Sequence, residues 1–267
     1  MCGRMRPRMS PAIAEAFGLK IAEWDFAVAP FDARPTDLFP VIRVRSGVRE
    51  AVPMRWGLIP GWAQGVPLKA STFNATIERM ESAPTYRTAW RRGQRCIIPV
   101  SCYFEPHVTE RRAKVTYRIW VRDRAWFGLA GLWDESQSVD GKVVTSCTII
   151  TLPASPRIAE IHNEKKRQPA MLREEDHSTW LEGSPDAARA VLRHYPDELI
   201  EAEPVISGRF AGVEQPEDLF GPRGPRGPHS PHRPHPPHRP RSPHSPHSPH
   251  CPHFPHNPHS PQSPHNP

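Results

Sequence analysis

LFPVIRVRSGVREAVPMRW, residues 38–56, decides the fold class. Two runs rich in β-branched and aromatic side chains flank Ser46-Gly47, and a two-residue turn between such runs is the signature of an antiparallel hairpin. Working outward, RCIIPV (95–100), KVTYRIWVR (114–122), AWFGLAGLW (125–133) and VVTSCTIITL (143–152) read as further strands. Helices gather at the two ends. Ser10-Pro11 precedes AIAEAF with Gly18 as a stop, Ser155-Pro156 precedes RIAEIH, and Ser184-Pro185 precedes DAARAVLRHY. In each pair the serine caps free amides and the proline fits the first turn. Another helix is expected through EEDHSTWLEG (174–183), ending at Gly183. Strands clustered mid-chain without regular helical crossovers argue for an α+β fold: a largely antiparallel or mixed β-sheet core with peripheral helices, not a doubly wound sheet.

The chain has 267 residues and a formal net charge of +7, but its composition divides sharply. Residues 221–267 hold 17 of the 35 prolines and 11 of the 15 histidines, with five arginines and no acid. Residues 1–220 keep all eight tryptophans and carry 30 basic against 28 acidic side chains, so the basicity belongs mostly to the tail. A body of this length buries a core without disulfide staples. The expected organisation is one folded body, 1–220, and a disordered Pro/His-rich tail, 221–267, whose composition supports no core. From Pro222 onward a proline recurs at every third position. In a polyproline II helix that period aligns the following histidines along one edge, a comb for transition metal or, below about pH 6.5, for an anion. An expanded repeat tolerated in an exposed tail explains the same pattern.

Body cysteines are few and irregularly spaced (Cys2, Cys96, Cys102, Cys147), which suits a reducing cytoplasm. No stretch resembles a signal peptide or approaches the 18 or more apolar residues of a membrane span. A cytoplasmic monomer without a membrane partner is expected.

Cys2 carries the chemistry. Removal of Met1 leaves an N-terminal cysteine with amine and thiol on adjacent carbons. An α-amine near pKa 8 is partly neutral at physiological pH and forms an imine with an aldehyde; a thiol near 8.5 is partly thiolate and closes the imine to a thiazolidine. Taken alone, Cys2 is equally an ordinary second residue.

Three further segments follow MCGR in order: MRWGLIPGW (54–62) with FNATIE (73–78), RRGQRCIIPVSCYFEP (91–106), and IHNEKKRQPAML (161–172). Together they resemble the SOS response-associated peptidase family, whose members include proteins that crosslink to abasic sites in single-stranded DNA. The family's pieces are MCGR, WG-x-x-P-x-W, N-A-R-x-E, G-[FW]-[FY]-E-W and H-D-R-x-P, and the resemblance covers about residues 2–210. It implies a catalytic set of Cys2 as nucleophile, Asn74 orienting the N-terminal residue, and Glu105 and His162 as acid and base. It implies DNA contacts from Arg4, Arg87 and Arg167, and Trp62 is suited to stack on a base. Single-stranded DNA with abasic sites is the implied partner, with slow reversal, a lyase nick and autoproteolysis as side activities. No metal or other cofactor is needed for these steps. Read one at a time, Asn74 is also a turn residue, Glu105 a solvated strand end, His162 a helix C-terminal residue and Trp62 a core residue.

The chain departs from the family pattern in several places. Thr76 stands for the arginine of N-A-R-x-E, Cys102 for the glycine before the aromatic pair, and Pro106 for the tryptophan after Glu105. Ala27-Val28-Ala29-Pro30-Phe31 lacks the asparagine and threonine of an early N-x-A-P-T segment. His162 is followed by NEKKRQP, so Arg167 or Lys166 takes the place of the motif arginine across a two-residue insertion. These changes bear on affinity and strand geometry, not on the crosslinking residues. Two other readings remain: an N-terminal-nucleophile cysteine hydrolase or peptidase, and a metal- or nucleic-acid-binding protein acting through the tail.

Overall fold

The computed structural model of the chain describes residues 2–19 and 32–205. The tail and the Ala27-Val28-Ala29-Pro30-Phe31 segment lie outside the described residues.

Ser46 and Gly47 both adopt positive φ, 52° and 75°, which is the turn that matches the right-handed twist of paired strands. They join β2 (Leu38–Arg45) to β3 (Val48–Trp56) in unbroken antiparallel register, Leu38 opposite Arg55 and Arg45 opposite Val48. The long strands β5 (Arg95–Val108), β6 (Lys114–Val121), β7 (Phe127–Gln137) and β8 (Val143–Pro153) carry the other runs singled out in the sequence. β5 pairs with β2 and β7, β7 with β8, and β8 runs parallel to β3. The ring β2–β3–β8–β7–β5 therefore closes on itself, and the sheet is mixed. Short strands complete it: β1 (Met5–Pro7) on β5, β4 (Asn74–Thr76) and β9 (Arg167–Pro169) on β8, β10 (Met171–Leu172) on β7, and β11 (Ile200–Pro204) on β6.

Both faces of this sheet are buried, which is why RCIIPV reads as a continuous apolar run and not as an alternation. Ile97 joins a cluster with Ile13, Trp90, Trp180 and Ala188, whereas its neighbour Ile98 joins one with Cys2, Trp56, Leu129 and Ile149. The first cluster is the helix-covered outside of the ring, and the second fills its interior. Trp56 is fully buried there and donates its indole N–H to the Phe73 carbonyl at 2.8 Å. Truncating it to alanine is expected to cost about 3–5 kcal/mol.

The serine caps form as expected. Ser10, Ser155 and Ser184 accept from Ile13, Ile158 and Ala187 at the starts of α1 (Pro11–Ala16), α3 (Pro156–Ile161) and α5 (Pro185–Ala190). α5 stops at Ala190, before LRHY. α4 (His177–Glu182) follows a 3-10 turn, Glu174–Asp176, and ends at Gly183. α2 (Arg87–Arg91) was not legible because Tyr86 at its start provides no side-chain cap.

Candidate active site

Pairing of β1 with β5 brings the N-terminus to the site. Met5 lies opposite Tyr103, and the Phe104 N–H donates to the Arg4 carbonyl at 3.0 Å. Cys2 is thereby drawn into the barrel with 0% exposure. Its carbonyl accepts a 2.8 Å hydrogen bond from Asn74 Nδ2, and its thiol lies 3.6 Å from the Arg4 carbonyl. Asn74 opens β4, whose parallel pairing with β8 sets it opposite Ile149, and the Tyr86 hydroxyl fixes its own carbonyl at 3.1 Å.

Glu105 lies on β5 opposite Tyr117 and is buried. His162 is the C-cap of α3. Asn163 anchors that cap to the end of β5, accepting from the Val108 N–H at 3.0 Å and donating to its carbonyl at 2.8 Å. His162 Nδ1 then stands 3.7 Å from Glu105 Oε2 and 2.7 Å from the Arg167 carbonyl. A carbonyl only accepts, so Nδ1 carries the proton and the neutral ring keeps its lone pair on Nε2. Residues from four parts of the chain are thus brought together.

Burial dominates their electrostatics. The Glu105 carboxyl is pushed up to about 8, opposed by the positive amino terminus and Lys165. His162 is pushed down, so it is neutral at physiological pH. The sequence reading gives Cys2 a partly ionised thiol; burial, and then the charge of Glu105, hold it well above its ordinary value instead. A base must therefore remove the thiol proton as sulfur reacts.

The residues expected at the DNA surface divide into two kinds. Trp62 is 57% exposed in the 3-10 turn Gly61–Ala63, and Arg87 is exposed at the start of α2. They share one neighbourhood, because Trp62 Nε1 reaches the carbonyl of Pro84, three residues before Arg87, at 3.4 Å. The turn that carries Trp62 hangs on three side chains that sequence reasoning missed. Asp134 accepts from the Gly61 N–H, Ser136 from the Gly65 N–H and Ser146 from the Ile59 N–H, at 2.9, 2.8 and 2.8 Å.

Arg4 and Arg167 are engaged within the fold. Arg4 bonds Asp32 through Nε and Nη2 and lies over the Phe104 ring at 4.3 Å. Arg167 makes a bidentate pair with Glu78, at 2.8 and 3.1 Å, and donates to the Thr151 carbonyl at 2.7 Å. This pair holds the Glu78 carboxyl down at about 2. Glu78 is the glutamate of the FNATIE segment, so its position was visible in the sequence while its partner, 89 residues away, was not. Arg91 and Arg92 are exposed, but Arg95 is buried and donates to the carbonyls of Trp180 and Gly183. Among the described residues no group of three or more His, Cys, Asp or Glu is placed to hold a metal, and no helix is long and apolar enough to cross a membrane.

The chain is similar to several known proteins. The chain is 31% identical over 157 residues to Abasic site processing protein YoqW of Bacillus subtilis (strain 168), covering 58% of this chain and 68% of that protein. It is 25% identical over 191 residues to Abasic site processing protein HMCES of Mus musculus, covering 60% of this chain and 53% of the mouse protein. A crystal structure of a Bordetella bronchiseptica protein, 27% identical, superposes with a TM-score of 0.65 over 77% of this chain and all of that one. The family model for the SOS response associated peptidase (SRAP) matches residues 1–208. By that match, which spans most of the chain, the chain belongs to the SRAP family.

Proposed function

We propose that the protein processes abasic sites in DNA by forming a covalent thiazolidine crosslink through Cys2 to the ring-opened sugar of an abasic site in single-stranded DNA. The observation that carries this reading is the enclosure of Cys2: its carbonyl is gripped by Asn74, beside a carboxyl poised near neutrality and a neutral imidazole. Relatives named for abasic site processing support the substrate class.

After Met1 is removed, the Cys2 amine adds to the aldehyde carbon and one water leaves as the imine forms. The sulfur then bonds to the same carbon while its proton passes to nitrogen, so the whole reaction releases one water. Glu105, near pKa 8, exists in both protonation states around neutral pH; it gives a proton to the departing oxygen and takes one from the thiol. Its partner His162 accepts through Nε2, because its Nδ1–H is held by the Arg167 carbonyl. Asn74 orients the nucleophile and does no proton chemistry. No metal or organic cofactor is required by these steps.

Trp62 stacks on a base and Arg87 meets phosphate at the same edge. Arg4 and Arg167 act chiefly by placing the main chain that holds Cys2 and His162, since reaching DNA would mean giving up Asp32 or Glu78. The acting unit is the body, residues 1–220, as a monomer in the cytoplasm, where free buried thiols persist. β-Elimination at the imine, which acidifies the neighbouring C–H, is a side reaction.

The test is a denaturing gel of the protein incubated with a single-stranded oligonucleotide bearing one abasic site. A heat-stable shifted band is expected for wild type and absent for Cys2→Ala and for an intact-base strand. A band of equal intensity with Cys2→Ala would sink the reading.

A further inference from the structure

Beside the Cys2 site lies an open cleft of about 270 Å³, bordered by Pro35, Thr36, Arg55, Gly57, Leu68 and Phe73. It is smaller than the roughly 300–1,000 Å³ of pockets that enclose a whole small molecule. Its size suits one unit of a polymer lying across it. The cleft and the reacting residue share a wall: Phe73 precedes Asn74, which grips the Cys2 carbonyl, and the Phe73 carbonyl is itself fixed by Trp56.

Arg55 is the distinctive group in the cleft. Its Nη1 donates to the Gly57 carbonyl at 2.7 Å and lies 3.5 Å from the Trp56 carbonyl. The main chain at Gly57 has a φ of +115°, which disfavours any residue but glycine, and a Cβ there would fall 2.8 Å from Nη1. Arg4, Arg43 and Arg167 are each paired with a carboxylate, whereas no acidic side chain pairs with Arg55 among the described residues. Its Nε and Nη2 have no protein acceptor among those residues either. A guanidinium fixed to the main chain through one nitrogen, with its other N–H groups left over, matches two oxygens of a tetrahedral anion. Lys69 and the Thr72 hydroxyl border the same cleft.

We propose that this cleft is a phosphate subsite, in which Arg55 binds the backbone phosphate of a nucleotide adjoining the one that reaches Cys2. The proposal rests on the single-stranded DNA reading above and adds to it a specific contact that Trp62 and Arg87 do not supply. Arg55 touches DNA and takes no part in the covalent step.

The test uses the full chain. Fluorescence anisotropy with an intact single-stranded oligonucleotide, on proteins carrying Cys2→Ala, reads binding without chemistry. Arg55→Gln is expected to weaken binding about tenfold at fixed salt and to lower the slope of log affinity against log salt by about 0.7, the value of one phosphate contact on a single strand. With Cys2 restored, crosslinking to an abasic oligonucleotide slows by a similar factor while the final yield is unchanged. A neutral methylphosphonate at one linkage flanking the abasic site is expected to reproduce the loss in wild type and to add nothing in Arg55→Gln. This arm needs no folded variant. An unchanged salt slope in a folded Arg55→Gln protein overturns the proposal. So does a wild-type protein indifferent to methylphosphonates at every flanking linkage. Failure of wild type to crosslink while the Arg55 dependence of binding persists would remove the abasic-site chemistry and leave the subsite standing.

Discussion

Replacing Glu105 with glutamine keeps the side chain's shape and removes its titration, so it is expected to stabilise the fold while disabling the site. The buried carboxyl has a pKa of about 8, against 4.5 for the free group. The folded state therefore holds this proton more tightly than the unfolded chain does. Stability is undiminished below about pH 4.5 and is lost as pH rises through 8. At about 1.36 kcal/mol per pKa unit, the loss is under about 1 kcal/mol at pH 5, about 3 kcal/mol at pH 7 and nearly 5 kcal/mol at pH 9. Glutamine escapes all of it. For a domain of this size each kcal/mol moves the melting temperature about 2–4 °C, so Glu105→Gln should melt roughly 6–12 °C above wild type at pH 7. Thermal melts of both proteins at pH 5, 7 and 9, followed by tryptophan fluorescence, measure this. The two melting temperatures should nearly meet at pH 5 and diverge upward. A constant offset at all three pH values would refute the burial argument. The same substitution is expected to abolish efficient crosslinking, the trade between stability and activity that a strained functional group entails.

His177 packs in a three-ring cluster with Phe17 and Trp126, its centroid 5.1 and 5.9 Å from theirs, and burial lowers its pKa to about 4. The unfolded chain takes up this proton first, so stability falls as pH drops from 6.5 towards 4, by up to about 3 kcal/mol; His177→Phe should flatten the acid side of a urea-denaturation series. The Tyr103 hydroxyl is fully buried and has no hydrogen-bond partner among the described residues. Tyr103→Phe is expected to raise stability by about 1 kcal/mol, and a loss of more than that in equilibrium unfolding would place a partner on the hydroxyl. Asp134→Ala removes the acceptor for the Gly61 N–H. It should cost about 1–2 kcal/mol of stability and weaken single-stranded DNA binding by freeing the turn that carries Trp62, as read by anisotropy against Ser138→Ala as a control.

Much of this fold is written locally. Ser46-Gly47 requires only its own positive φ values, and the caps at Ser10, Ser155 and Ser184 need only the next three residues. The short strands β1, β4, β9 and β10 have two or three residues each, too few for any periodicity, and exist because a long strand accepts them. They nonetheless carry or place Cys2, Asn74 and the Arg167 carbonyl. Sequence motifs therefore point to the candidate residues but not to the means by which they meet. The extent of their ionisation is less legible than its direction at Glu105, since it follows from depth. Among the apolar IIPVSCYF residues Glu105 reads as partly buried with a raised pKa, and it is almost wholly buried. The engagement of Arg4 with Asp32 and of Arg167 with Glu78 is likewise a product of distant pairing.

Mass spectrometry of the tryptic N-terminal peptide from the crosslinked species tests the proposed chemistry most directly. The expected product is the peptide Cys2-Gly3-Arg4, without Met1, carrying the abasic nucleotide remnant at the summed mass less one water, with fragmentation placing the added mass on Cys2. The added mass on a lysine, or on a peptide that still begins with Met1, would contradict it.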